Sequence, residues 1–303
     1  MSDTVYTATL GATASDWFSL LKPRVLTLVV FTGAIGLVIA PTHLNPVLAV
    51  TAILCIATAA GAAGAINMWY DRDIDALMKR TANRPIPAGR VSPAGALAFG
   101  IILAIMSVLV MAMAANLVAA FVLALSIAFY VFVYTMWLKR STPQNIVIGG
   151  AAGAFPPLIG WAAATGSISL LPILLFAIVF FWTPPHFWSL SLYASGDYER
   201  AGVPMLPVVK GARHTRVCIM VYTLVLLPIT LAPYLLGLMG RIYGVTALVL
   251  GLLFALYSWR VLTDAQNERG VSLSKDAPAR AAFKYSILYL FILFGACAVD
   301  RLV

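Results

Sequence analysis

Nine apolar stretches of sixteen to twenty-five residues occupy most of this sequence, at roughly 25–40, 46–70, 94–114, 117–138, 145–164, 168–192, 215–237, 242–262 and 283–299. Inside hydrocarbon about 30 Å thick, every backbone N–H and C=O must find its partner within the protein, which leaves helices and closed barrels. Barrel strands run to about ten residues of alternating polarity, whereas these runs are longer and continuously apolar. The chain is therefore expected to be all-α, a polytopic membrane protein with nine transmembrane helices. Composition excludes the soluble alternative, since 62% of residues are hydrophobic, 10% are charged and the mean hydropathy is +0.95. Residues 1–24 form an N-terminal segment whose Ser15–Arg24 portion suits a short interfacial helix, and 25–303 form a single transmembrane domain.

Orientation follows from the lysines and arginines. Eighteen of the twenty, Arg269 among them, fall on the side that holds the N-terminus, and only Arg241 and Arg301 fall on the other. The N-terminus is accordingly expected in the cytoplasm and Val303 outside, as an odd number of helices requires. The net charge of +9 reflects this asymmetry and not nucleic-acid binding. Cys55, Cys218 and Cys297 lie in apolar runs, which implies neither disulfides nor a zinc site. The first twenty residues contain no basic residue and resemble neither a secretory signal nor a transit peptide.

The second apolar run ends in Asn67-Met-Trp-Tyr-Asp71-Arg-Asp73-Ile-Asp75. Four residues turn a helix through about 400°, so Asn67, Asp71 and Asp75 fall on one face and climb about 6 Å per step. Charge beside hydrocarbon is costly, about 2.5–3.5 kcal/mol per group at the bilayer centre, so three aligned oxygen-bearing side chains need a purpose. One amide and two carboxylates suit Mg²⁺, which takes oxygen ligands and completes its shell with water and phosphate oxygens. Asp73, about 200° round from Asp71, should be solvated or paired with Arg72 or Lys79. Lys79, Arg80 and Arg84 follow, with Arg84 held in a stiff proline-rich segment, and are expected to contact a diphosphate. Lys22 and Arg24 flank Pro23, Lys139 and Arg140 close the fourth span, and Lys210 and Arg213 precede the seventh; each is a further candidate for phosphate contact.

A weaker echo closes the sixth span, where Tyr193-x3-Asp197 precedes Glu199 and Arg200. The loops at 67–93 and 193–214 are expected to face each other across one cavity. His186, within Trp182-Thr-Pro-Pro-His186-Phe-Trp188, shares a helical stripe with Tyr193 and Asp197 and lies roughly 10 Å deeper than Tyr193. Small residues at Ala57, Gly61 and Ala65, and at Gly149, Gly150 and Gly153, should allow close helix approach.

The ladder together with residues 80–89 (Arg-Thr-Ala-Asn-Arg-Pro-Ile-Pro-Ala-Gly) and the nine-helix count resembles the UbiA superfamily of intramembrane prenyltransferases. Leu21-Lys-Pro-Arg24, the 138–153 segment, Trp182–Trp188 and the 197–209 segment resemble its haem O synthase branch, over about 20–300. That resemblance implies a UbiA-type helical bundle in a bacterial inner membrane with the active site facing the cytoplasm. It implies Mg²⁺-dependent transfer of a farnesyl group from farnesyl diphosphate to a vinyl group of haem b, with water adding to leave a hydroxyethylfarnesyl side chain. On this reading Asn67, Asp71, Asp75 and Asp197 hold metal, Tyr193 joins them in catalysis, and the basic residues above bind substrate with His186. Trp161, Phe181, Trp182, Phe187 and Trp188 would line a porphyrin chamber. Tyr193 stands where many superfamily members carry aspartate, and a phenol is the poorer metal ligand. An enzyme that converts haem O to haem A, or a terminal oxidase, would be a partner. Two rivals are a prenyltransferase acting on an aromatic or quinone-precursor acceptor, disfavoured by the His186 segment, and a secondary transporter. Transporters place charge near the bilayer midplane, whereas these acids gather at one face.

Overall fold

The computed structural model describes residues 11–267 and 271–303; Arg269, counted above, lies outside the described residues, as does the start of the N-terminal segment. Apart from an isolated antiparallel bridge between Gln266 and Ser272, those residues form helices and their connections. In chain order these are α1 (Ala14–Leu20), α2 (Pro23–Val38), α3 (Pro46–Tyr70), α4 (Arg72–Leu77), α5 (Pro93–Ala114) and α6 (Leu117–Ala128). A π-helical stretch, Phe129–Leu138, runs on from α6 into α7 (Lys139–Ser141). Then come α8 (Asn145–Thr165), α9 (Leu170–Tyr193), α10 (Ser195–Arg200), α11 (Leu206–Leu235), α12 (Arg241–Leu262) and α13 (Ala277–Leu302).

Local sequence explains where the long helices begin. Asn45, Ser92 and Asn116 each accept a backbone N–H from the first turn of α3, α5 and α6, and Pro46 and Pro93 occupy positions whose N–H would have no partner. Eight helices or continuous helical runs among the described residues are long and apolar enough to cross a membrane, and α1 with α2 makes a ninth if that pair, bent by 53°, counts as one span. The bend belongs to Pro23. It cannot extend a helix from α1, and Lys22 before it adopts a left-handed conformation at φ 54°. The expected seventh span starts earlier than the apolar run does, at Leu206, because a first turn is joined to it across Gly211, whose φ of 81° interrupts the helix.

α2 and α8 form the middle of the bundle, with α3, α5 and α6 on one side and α9, α11, α12 and α13 on the other. Buried Ala52, Ile56, Met111, Leu123 and Ile159 tie the first group to α8. Leu175, Trp182, Tyr243, Phe254, Tyr289 and Leu293 bind the second. Large apolar side chains such as Ile102, Phe121, Leu252 and Phe291 stay exposed round the outside, as a lipid-facing surface requires.

Close approach occurs at Gly61, Gly149 and Gly150 as the small-residue spacing suggested, but the tightest glycine contacts lie elsewhere. Gly61 packs on the Leu21 side chain, Gly149 lies under the Tyr134 ring and Gly150 against Thr183, while Gly153 faces open space. The tightest seam is α2 on α8: a Cβ on Gly160 would sit 1.9 Å from the Gly33 carbonyl oxygen, and one on Gly36 would sit 2.2 Å from that of Pro157. Both obstacles are backbone and cannot swing aside. Gly160→Ala should therefore destabilise the protein by about 1–3 kcal/mol through overpacking, measured by thermal unfolding in detergent, while Gly153→Ala should leave the midpoint within error. An unchanged midpoint for Gly160→Ala would show that α2 and α8 do not meet this closely.

Candidate active site at the polar end of α3

Asn67, Asp71 and Asp75 come from the end of α3 and from α4. α3 stops at Tyr70, so the three are not on one uninterrupted helix as expected, yet their register survives. Asp71 N donates to Asn67 O at 2.9 Å and Asp75 N to Asp71 O at 2.8 Å, which keeps the four-residue spacing across the break. All three side chains are buried, Asp71 at 0% exposure and Asp75 at 1%.

Buried carboxylates without counter-charges would cost several kcal/mol each, so the surrounding chain supplies them. Lys22 Nζ donates to Asn67 Oδ1 at 2.6 Å, reaching it from the left-handed turn before α2. Lys139 Nζ donates to Asp71 Oδ2, and Arg140 lies 3.4 Å from Asp71 Oδ1. Arg84 Nη1 donates to Asp75 Oδ2 at 2.5 Å. Its loop is fixed to α4 by Thr81, whose Oγ donates to Asp75 O at 2.8 Å and whose carbonyl accepts Arg84 N. Asn67 is oriented from both ends. Its Nδ2 donates to Asp71 Oδ2 at 2.7 Å and to Thr135 Oγ at 3.1 Å, which aims Oδ1 at Lys22.

Asp73 is solvent-exposed, as expected, but its partner differs from the two the sequence suggested. Its partner is Arg140, which donates to both carboxylate oxygens at 2.7 Å, and not Arg72 or Lys79. The Arg140 hydrogen bonds hold the Asp73 carboxyl below the usual carboxylate range. Arg72 instead donates to Trp69 O and lies over the Trp69 ring.

The loops at 67–93 and 193–214 meet through an apolar contact in which Ile74 and Met78 pack with Tyr198, Ala201, Val203 and Met205. Tyr193 lies under the Arg280 guanidinium at 4.3 Å, and Asp197 is paired with Arg200. Among the described residues, no hydrogen bond or ion pair joins Tyr193 or Asp197 to the Asn67 ladder. Arg24, Lys79, Arg80, Lys210 and Arg213 are exposed and their side chains make no ion pair there. His186 is half-buried between α9 and α13, with Nδ1 2.7 Å from Ser286 Oγ.

Thr135 was missed. It is fully buried, the one aliphatic hydroxyl of the π-helical stretch, and stands four residues before Lys139 in an otherwise apolar and aromatic run. That isolated hydroxyl was the available signal.

A divalent ion fits this donor set. Asp75 Oδ1 has no partner among the described residues and is not sealed in the packing, so one carboxylate oxygen stands ready. No three His, Cys, Asp or Glu side chains among the described residues cluster as a zinc or iron centre would need, whereas Mg²⁺ manages with one or two carboxylates. Lys22, Arg84, Lys139 and Arg140 outnumber Asp71, Asp73 and Asp75 by one.

A family model described as UbiA prenyltransferase family matches residues 29–296. The chain belongs to the UbiA prenyltransferase family. Among curated UbiA-type relatives, proteins named protoheme IX farnesyltransferase from Acidiphilium cryptum and Granulibacter bethesdensis are 70% and 69% identical to it. The alignments cover 97% and 96% of this chain and 93% and 92% of those proteins. Among solved structures, a UbiA homologue from Archaeoglobus fulgidus bound to GPP and Mg²⁺ superposes with a TM-score of 0.68 at 18% identity, over 92% of this chain and 99% of that one. The apo UbiA homologue from Aeropyrum pernix K1 gives 0.72 at 20% identity, over 92% and 98%. These structures establish the fold as the UbiA fold.

The ion pairs make a separable prediction. Lys139→Met leaves the buried Asp71 carboxylate short of its nearest cation and should cost about 3 kcal/mol, and adding Asp71→Asn should return most of that loss. Thermal unfolding of the two single variants and the double variant measures the coupling; additive effects would mean that the pair does not interact.

Proposed function

We propose that this chain transfers the farnesyl group of farnesyl diphosphate to a vinyl group of haem b, giving a hydroxyethylfarnesyl side chain after addition of water. The observation that carries the reading is the coincidence of two independent facts. Close relatives over nearly the full length bear one name, protoheme IX farnesyltransferase, and the buried Asn67–Asp71–Asp75 ladder is ringed by cations at the end of an apolar bundle. The eighteen-to-two distribution of lysine and arginine supports an active site on the cytoplasmic face of a bacterial inner membrane, with the loops 67–93 and 193–214 forming its mouth.

Asn67 Oδ1, Asp71 and Asp75 would hold Mg²⁺, with Asp197 as a further ligand from the second loop. Bound there, the ion supplies Lewis-acid neutralisation of charge on the leaving diphosphate. The protein's own cations carry the rest. Arg84 and Lys139 already stand beside the carboxylates and would donate to phosphate oxygens, and Lys22 would move from Asn67 Oδ1 to the same anion. Exposed Lys79, Arg80, Lys210 and Arg213 on the two loops, with Arg140 and with Arg24 near the start of α2, would supply further contacts to the anion. As the carbon–oxygen bond breaks, the allylic carbon becomes cationic. Half-buried Phe187 of α9, which packs against the cluster holding Ile74 and Met78, would help to shield this cation from water until the vinyl carbon attacks. Diphosphate departs with the negative charge, and water adds to the cation left on the former vinyl group while releasing a proton.

Membranes containing the protein, incubated with haem b, farnesyl diphosphate and Mg²⁺, should yield farnesylated, hydrated haem on extraction and mass spectrometry. Chelation by EDTA should abolish the product and added Mg²⁺ restore it. Asp71→Ala or Asp75→Ala should reduce turnover about 10²–10³-fold while the protein still inserts, a loss of the size expected for transition-state charge stabilisation. Product formed at normal rate by either variant would refute the assignment of the ladder, and no product from the wild type would refute the function.

A further inference from the structure

His186 is held from three directions. Its ring is stacked between Trp182, with centroids 4.3 Å apart and planes 18° from parallel, and Phe283, at 4.6 Å and 25°. Phe187 meets it edge-on at 5.4 Å. The Nδ1 edge faces Ser286 Oγ at 2.7 Å, and Ser286 is itself anchored because its carbonyl accepts the Trp182 indole N–H at 2.8 Å.

The Ser286 hydroxyl has a single proton, and it lies 2.7 Å from a second acceptor, the Phe283 carbonyl oxygen. That carbonyl can only accept. Both contacts are hydrogen bonds in one arrangement only, in which Ser286 donates to Phe283 O and accepts from His186 Nδ1–H. The tautomer is thereby assigned, and Nε2 is left with a bare lone pair. Nε2 has no partner among the described residues and is not sealed in the packing. Such a nitrogen cannot donate a hydrogen bond to a carboxylate, but it is the form of imidazole that binds a metal, and a hydrogen bond at Nδ1 is the usual means of orienting a histidine ligand.

We infer that His186 ligates the iron of the porphyrin substrate through Nε2, and that Ser286 is the residue that positions it. The inference rests on the proposed reaction, since that supplies the iron porphyrin. It assigns α9 and α13 a task distinct from the diphosphate end of α3: holding the acceptor in one orientation by its metal.

The test compares haem b with metal-free protoporphyrin IX, which has the same ring and carboxylates but no iron, on the full-length protein in nanodiscs. The wild type should show a nitrogen-ligated haem by optical and EPR spectra. His186→Ala should lose that signature, weaken haem binding at least tenfold and change protoporphyrin IX binding less than twofold, and added imidazole should restore the signature. Ser286→Ala should weaken haem binding about tenfold, the loss typical of an outer-shell partner, and broaden the EPR signal, with Ser286→Thr recovering both. Equal loss of the two porphyrins in His186→Ala, or an unchanged iron spectrum, overturns the inference. Farnesyl transfer on the same samples separates the two readings. Transfer without a nitrogen-ligated signature overturns the iron assignment alone, whereas the signature without transfer supports the iron assignment and overturns the reaction.

Discussion

Two carboxylates buried where an apolar bundle meets water impose the strongest constraint on this protein. Asp71 and Asp75 have almost no contact with solvent, and removing such ions from water costs several kcal/mol apiece unless cations and hydrogen bonds replace it. Much of the local irregularity around them meets that demand. The bend at Pro23 brings Lys22 to Asn67, the π-helical stretch ends by presenting Lys139 and Arg140 to Asp71, and the proline-rich loop after α4 folds Arg84 back onto Asp75. π-helical turns are rare and cluster at functional sites, and this one also places Thr135 against Asn67. These cations form an electrostatic cage round the ladder.

The seam between α2 and α8 serves the same end. Contact through Gly33, Gly36 and Gly160 lets two backbones touch, which fixes the start of α2, and with it Lys22, relative to the rest of the bundle. On the far side, the pairing of α9 with α13 through Trp182, His186 and Ser286 fixes an aromatic wall. The Asn67 ladder and the His186 cluster therefore sit on different helices, and their spacing is set by helix packing.

The sequence made the fold class and span positions legible, because continuous apolar runs admit few structures in lipid. The ladder was legible too, since a four-residue step is a local property that outlived the break at Asp71. What could not be read was pairing across distance. Lys22 stands 45 residues from Asn67 and Lys139 stands 68 from Asp71, and neither spacing has a period to detect. Asp73 is solvated as expected, but its cation is Arg140 and not a neighbour in sequence, since Arg72 is engaged by Trp69. The α2–α8 seam was missed for a related reason: the glycines of one helix show that something approaches closely, but not what.

The central claim is that buried oxygens of α3 and α4 hold a divalent ion together with the diphosphate of an isoprenoid. Mn²⁺ in place of Mg²⁺ makes that geometry visible to electron–nuclear double resonance. With farnesyl thiolodiphosphate bound, wild-type protein should show ³¹P hyperfine coupling to the metal, and the coupling should vanish in the Asp71→Ala/Asp75→Ala double variant. Manganese bound equally well by that variant, or bound by the wild type with no phosphorus coupling, would contradict the account.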